Sequence, residues 1–136
     1  MQYWLVKSEP ITYAYERLEK DKSTVWDGVR NYAARNNLKA MKKDDLVLFY
    51  HSNEGKDVVG VAKVLKEFYP DPTAKEGDWV AVELGPHKKL KKSISLEQIK
   101  ADKILKNMEL VRLSRLSVSP VRKEEFDRLI ELSETK

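Results

Sequence analysis

The chain has 136 residues, no cysteine, 41% hydrophobic and 35% charged residues, a balance that suits one globular domain and excludes disulfide scaffolds, thiol nucleophiles and zinc ribbons. Its formal net charge is +4 and its isoelectric point about 9.1, which favours a polyanionic partner without requiring one. Residues 1–20 contain no long apolar run, so neither a signal peptide nor a membrane span is expected there, and the cytoplasm is the expected compartment.

In chain order, Tyr3-Trp4-Leu5-Val6 reads as a short strand stopped by Lys7-Ser8-Glu9-Pro10. Pro10 favours a helix start, which predicts a short helix over residues 11–20. Residues 21–24 read as a loop delivering the chain to Val25 and Trp26. Asp27 or Asn31 is placed to cap a helix running to about residue 41. A polar turn at 42–45 precedes a dense apolar strand over 46–50, which a turn at 53–57 joins to a second strand over 58–68. Gly60 inside that second strand predicts a bulge or a close backbone approach. Pro70-Asp71-Pro72-Thr73 is a stiff turn, and 79–84 a third strand. Lys88-Lys89-Leu90-Lys91-Lys92 reads as a solvated basic run. Ser95-Leu96-Glu97-Gln98 matches a capping box, so a helix is expected from Ser95 over Ile99. Residues 110–113 read as a further strand. After Pro120, the spacing of Val121, Phe126, Leu129 and Ile130 predicts a final helix to about residue 134. The sum is an α+β domain spanning residues 1–136, with mostly antiparallel strands curled into a barrel and peripheral helices.

The segment from Trp26 to Asn37 concentrates two large rings, two guanidiniums and three side-chain amides among little aliphatic filler. That composition suits stacking on a planar heterocycle and hydrogen bonding to its edges or phosphates. On a helix begun near Val29, Arg30 and Asn37 share a stripe with Ala33, Ala34, Ala40 and Met41. These polar groups either pair internally, Arg30 with a carboxylate such as Asp27 and Asn37 with a loop carbonyl, or they face a ligand cavity. Trp26 is either core or the wall of a base-stacking site. Lys7, Ser8 and Glu9 end one strand; Tyr50, His51 and Ser52 end another. If both strands open on one rim, their polar groups converge. Ser114, Arg115 and Ser117 combine hydroxyls with a guanidinium, as phosphate sites do and as helix-capping loops also do.

Catalytic patterns are missing. The chain has no dinucleotide or phosphate-loop glycine pattern and no nucleophile elbow. Its two histidines, His51 and His87, cannot build a histidine-rich metal site. A trio of Ser8, His51 and Asp27 can be drawn, as in any chain of this size. A non-catalytic protein without cofactor or metal is therefore expected.

Several ordered blocks resemble one family. They are Tyr3-Trp4-Leu5-Val6-Lys7-Ser8-Glu9-Pro10; Thr24-Val25-Trp26-Asp27-Gly28-Val29-Arg30-Asn31-Tyr32; Ala34-Arg35-Asn36-Asn37-Leu38; and Phe49-Tyr50-His51-Ser52-Asn53. Val59-Gly60-Val61-Ala62, Tyr69-Pro70-Asp71-Pro72-Thr73-Ala74 and Ser114-Arg115-Leu116-Ser117-Val118 continue the match over nearly the whole chain. Together they resemble the EVE domain family, a branch of the PUA-like superfamily. The resemblance implies a PUA-like pseudo-barrel of about five to six strands, similar in plan to the YTH domains. It also implies a reader of a modified nucleobase, in DNA or alternatively in modified or structured RNA, with the base flipped out of a duplex. By the same resemblance Trp26 is a cage wall, with Lys7, Ser8 and Glu9 near it. Asp27, Arg30, Asn31 and Asn36 are polar contacts, Tyr50, His51 and Ser52 the opposite rim, and Ser114, Arg115 and Ser117 the rest of the mouth. Ala33 departs from the longer polar residue frequent at its position. A base-processing hydrolase using His51 and a protein-interaction domain that binds a small metabolite are the readings from other classes.

Overall fold

The computed structural model describes residues 1–52 and 55–134. Its strands are β1 (Tyr3–Ser8), β2 (Thr24–Trp26), β3 (Leu46–His51), β4 (Asp57–Pro70), β5 (Val80–Ser95) and β6 (Val118–Val121). Its helices are α1 (Tyr15–Asp21), α2 (Tyr32–Ala40), α3 (Leu96–Ala101), α4 (Glu109–Arg112) and α5 (Lys123–Glu134). The strands form one six-stranded sheet in the order β2-β5-β4-β3-β1-β6. Only β1 and β3 run parallel; the other neighbours are antiparallel. A parallel pair needs a long crossover, and this one carries α1, β2 and α2. The sheet is open, with β2 and β6 as its edges, so the expected barrel is a pseudo-barrel. Helix α2 packs on both β6 and β5, spanning one face between the two sides of the sheet.

Strand alternation feeds two cores. Trp4, Val6, Val47, Phe49, Val82 and Leu84 face α1 and α2, together with Tyr15, Leu18, Ala34 and Leu38. Leu5, Leu48, Tyr50, Val61, Leu90 and Ile94 face the other side, where Ile99, Leu105, Met108, Phe126 and Leu129 cover them. Both clusters bury their members almost completely, and such burial contributes roughly 1.5–3 kcal/mol per large aliphatic side chain.

Several local expectations hold. The β3–β4 hairpin forms, although Asn53 and Glu54 of its turn lie outside the described residues. Ser95 and Gln98 complete the capping box of α3. Gly60 is both bulge and close approach: the register shifts beside it, and a Cβ there would stand 2.6 Å from the Tyr15 ring.

Other expectations are corrected. The helix after Pro10 starts only at Tyr15, because Glu9 C=O accepts from Thr12 and Tyr13 in a turn that does not continue. Residues 24–26 are strand, pairing with β5, so Trp26 does not sit in a loop. Residues 110–113 are mostly helix α4, covering the second core with Leu110. Pro120 lies in edge strand β6, and the final helix begins at Lys123. The run from Lys88 to Lys92 belongs to β5, with Leu90 5% exposed.

Candidate nucleic-acid interface

Pairing with Val82 of β5 fixes Trp26 on an edge strand. Its indole meets Phe49 edge-on, ring centroids 5.6 Å apart at 80°, and the side chain stays half-buried. Beside it lies a cavity of about 400 Å³ lined by Ser8, Thr12, Tyr13, Thr24, Val25, Trp26 and Asp27. That is the size and mixed character of a small-molecule site. Ser8 Oγ donates to Tyr13 C=O at 2.5 Å, which ties the end of β1 to the turn before α1. Tyr13 Oη donates to Asp21, and burial raises its pKa. Among the described residues, neither the Trp26 indole N–H nor the Asp27 carboxylate has a hydrogen-bond partner. Both are free for a ligand.

The loop after Trp26 is held from below. Asp71, 4% exposed, accepts from Gly28 N–H at 2.8 Å and Arg30 Nη1 at 2.9 Å. It also accepts from Thr73 N–H at 2.7 Å and Thr73 Oγ1 at 2.6 Å. Burial pushes this carboxyl's pKa up; the bonds from Thr73, Arg30 and Gly28 overcome that and hold it well below the usual carboxylate range. Gly28 has a φ of +76°, a left-handed conformation that turns its N–H onto Asp71 at little cost. Of the two roles open to Arg30, the structure shows internal pairing, with Asp71 in place of Asp27. Asn37 likewise donates to Val118 C=O at 2.6 Å.

The remaining expected residues do not converge on the indole. Period-two alternation sends Lys7 and Tyr50 to the face opposite Ser8 and His51. Tyr50 is in the second core, where burial raises its phenol pKa. Lys7 Nζ donates to Ser114 C=O at 2.5 Å, and its amide to Ser117 C=O. Lacking a carboxylate partner among the described residues, its ammonium has a pKa lowered by burial. His51 is buried, and its Nε2 accepts from the Tyr15 amide at 3.1 Å, so that nitrogen is not available as a base. Ser52 donates its amide to Ser8 C=O. Glu9 is exposed at the turn beside the cavity. Asn36 accepts from Arg35. Asn31 caps α2 by accepting from Ala34 N–H at 3.0 Å.

Asn31 and Ala33 line a separate cavity of about 340 Å³ with Leu113, Ser114, Arg115 and Leu116. Ser114 and Arg115 therefore belong to a neighbouring hollow, and Ala33 enlarges it by its short side chain. Arg115 has no ion-pair partner among the described residues. Sequence reasoning missed Thr12, Tyr13, Thr24 and Val25 as lining residues, and Asp71 as the anchor. Only Asp71 had a local signal: an aspartate two residues before a threonine in a proline-rich turn suits an Asx turn. Among the described residues, no three histidine, aspartate or glutamate side chains are grouped to hold a metal, and no helix is long and apolar enough to cross a membrane.

Thymocyte nuclear protein 1 of Mus musculus is 40% identical over an alignment of 167 positions that covers 98% of this chain and 74% of the mouse protein. The crystal structure of a protein from Agrobacterium tumefaciens matches with a TM-score of 0.95 at 41% identity, covering 98% of this chain and 94% of that one. Human THYN1 protein, solved in complex with 5-methylcytosine-containing DNA, matches with a TM-score of 0.92 at 35% identity, covering 100% of this chain and 99% of that one. The EVE domain family model matches residues 2–132, and with relatives this similar over almost the full chain, the protein belongs to the EVE domain family.

Proposed function

We propose that this protein is a non-catalytic reader of a modified nucleobase in DNA, and that the base enters the cavity beside Trp26. The observation that carries this reading is the half-buried indole forming one wall of a hollow otherwise lined by hydroxyls, a carboxylate and Val25. Its support from outside is the human relative solved with 5-methylcytosine-containing DNA. The mildly basic charge suits the same partner. The proposed location is the cytoplasm with access to the chromosome, or the nucleus in a eukaryotic cell.

Extracting a base from a duplex costs a few kcal/mol, and stacking on one aromatic ring returns about 1–3 kcal/mol. The remainder falls to hydrogen bonds. Asp27 has an open carboxylate, the group that accepts from the exocyclic amine of cytosine, and such a contact discriminates by about 1–3 kcal/mol. The hydroxyls of Ser8, Thr12 and Thr24 supply further donors and acceptors at the walls.

Two substitutions test the reading by titration with duplexes that differ only in 5-methylcytosine. Trp26→Ala should lose most affinity for the marked duplex while the melting temperature falls modestly, because the indole is only half-buried. Unchanged binding would remove the indole from the site. Asp27→Asn should weaken affinity for the marked duplex by roughly five-fold or more, with stability unaltered; an unchanged affinity would show that Asp27 does not touch the base. Matched DNA and RNA oligonucleotides in the same titration separate a DNA reader from an RNA module.

A further inference from the structure

A second aromatic surface stands outside the Trp26 cavity. Tyr32, the first residue of α2, is 68% exposed. Its ring stacks on Trp79, with centroids 5.2 Å apart and planes 20° apart. Guanidiniums flank the pair: the Arg35 carbon is 5.0 Å from the Tyr32 centroid, and that of Arg30 is 5.6 Å from the Trp79 centroid. Each cation is itself fixed. Arg30 is bound by buried Asp71, and Arg35 lies 3.7 Å from Asp78, which Lys39 also holds at 2.7 Å.

A singly exposed tyrosine needs no explanation. Here, however, side chains from α2, from the loop before it and from the turn ahead of β5 hold one ring in a set orientation, still largely in water. Ordering those long side chains costs conformational entropy, and nothing in either core depends on the outer ring. A rigid ring among arginines is the combination that takes an unpaired nucleobase, since every base offers a π-face and its phosphates seek cations. Tyr32 follows Trp26 by six positions, so their Cα atoms are at most about 22 Å apart. A few nucleotides of one strand cover that span.

We propose that Tyr32 is a stacking platform for an unpaired, unmodified nucleobase on the same strand as the base held beside Trp26. The proposal deepens the function proposed above and rests on it for the strand's placement. The competing account is that the stack only clamps α2 to the turn before β5.

The test is a single-stranded oligonucleotide carrying one 5-methylcytosine, with each neighbouring nucleotide replaced in turn by an abasic residue. Wild-type protein should lose roughly five-fold or more in affinity at one flanking position. Tyr32→Ala should bind the intact strand that much more weakly and be indifferent to the abasic replacement. Tyr32→Phe should behave as wild type. Tyr32→Leu, which keeps apolar packing on Trp79 without a π-face, should behave as Tyr32→Ala, which separates stacking from clamping. The proposal is overturned if wild type has no sensitive flanking position, or if Tyr32→Ala keeps wild-type affinity or sensitivity. Trp26→Ala should lose the preference for the marked base yet retain the flanking-base dependence. If that preference survives Trp26→Ala, the cavity reading fails while the Tyr32 result stands by itself.

Discussion

Taking a carboxylate out of water costs several kcal/mol unless donors replace its hydration, and at Asp71 the donors all come from the chain around the site. Gly28 N–H and Arg30 bond to one oxygen, and the amide and hydroxyl of Thr73 to the other. The loop that follows Trp26 is therefore positioned by a residue that never lines the cavity. Asp71→Asn keeps the shape but turns an NH₂ toward one pair of donors, so it should destabilise the protein by about 2–3 kcal/mol. It should also weaken binding of the marked duplex. Urea unfolding measures the first effect, and a loss below about 0.5 kcal/mol would remove Asp71 as the anchor. The same group sets an acid limit. Its folded pKa lies below the unfolded value of about 3.9, so the unfolded chain takes up the proton first. Its stabilisation is complete above about pH 4 and is lost as pH falls through the folded pKa. Unfolding free energies at pH 5 and pH 3 should differ less in Asp71→Asn than in wild type. Little of this was legible beforehand. Trp26, Ser8 and Asp27 stood out by residue type, and all three line the cavity. Tyr13, Thr12 and Thr24 reach it only through tertiary folding of the α1 turn and β2 against β1, for which no local pattern exists. Lys7 and Tyr50 are different: period-two alternation from Ser8 and His51 already places them on the other face.

At the scale of elements, one glycine fixes how α1 meets the sheet. Phe49 opposes Gly60 and Tyr50 opposes Val58, so Val59 is an extra residue and Gly60 turns toward α1. The Tyr15 ring lies flat against it, its hydroxyl bonded to Val61 C=O at 2.8 Å and its edge against Phe49. Burial raises the pKa of that phenol to about 12. A methyl group at position 60 has nowhere to go, so Gly60→Ala should cost roughly 1–3 kcal/mol. In a Tyr15→Ala background the added cost should vanish, and a double-mutant cycle showing plain additivity would refute the contact. The hairpin carrying this bulge was legible because its alternation is local and dense; so were the capping box of α3 and the stripe of α5. The misread elements each lacked a usable period. Three-residue β2 is too short to alternate. Residues 110–113, Leu-Val-Arg-Leu, are too few for periodicity to assign to strand or helix. Pro120 looks like a helix start, yet β6 tolerates it as an edge strand paired only with β1.

Across the whole molecule, the lysines of β5 matter by the face on which they stand. The register gains a residue between Ala62↔Pro86 and Val61↔Lys88, and such a slip inverts every later side chain. Val82 and Leu84 accordingly face the core of α1 and α2, whereas Leu90 and Ile94, of the same parity, face the other. This inversion is why the run read only as a solvated basic run. It also divides the positive charge. Lys88 shares the α5 face and pairs with Glu134 at 2.6 Å, and alternation puts Lys92 on that side. Lys89 stands 3.7 Å from Glu16 of α1, and alternation puts Lys91 with it, on the face where Trp26 packs. If that face meets DNA, each lysine that displaces a counterion adds up to about 0.9 to the slope of log affinity against log salt. Replacing Lys89 and Lys91 by glutamine should flatten that slope without changing the preference for a marked base. Replacing Lys88 and Lys92 should leave the slope alone, because both face away. Equal effects from the two pairs would mean that charge acts through the net +4 of the chain, with no preferred face. A reversed order would place the DNA against α5, which is incompatible with a base held beside Trp26.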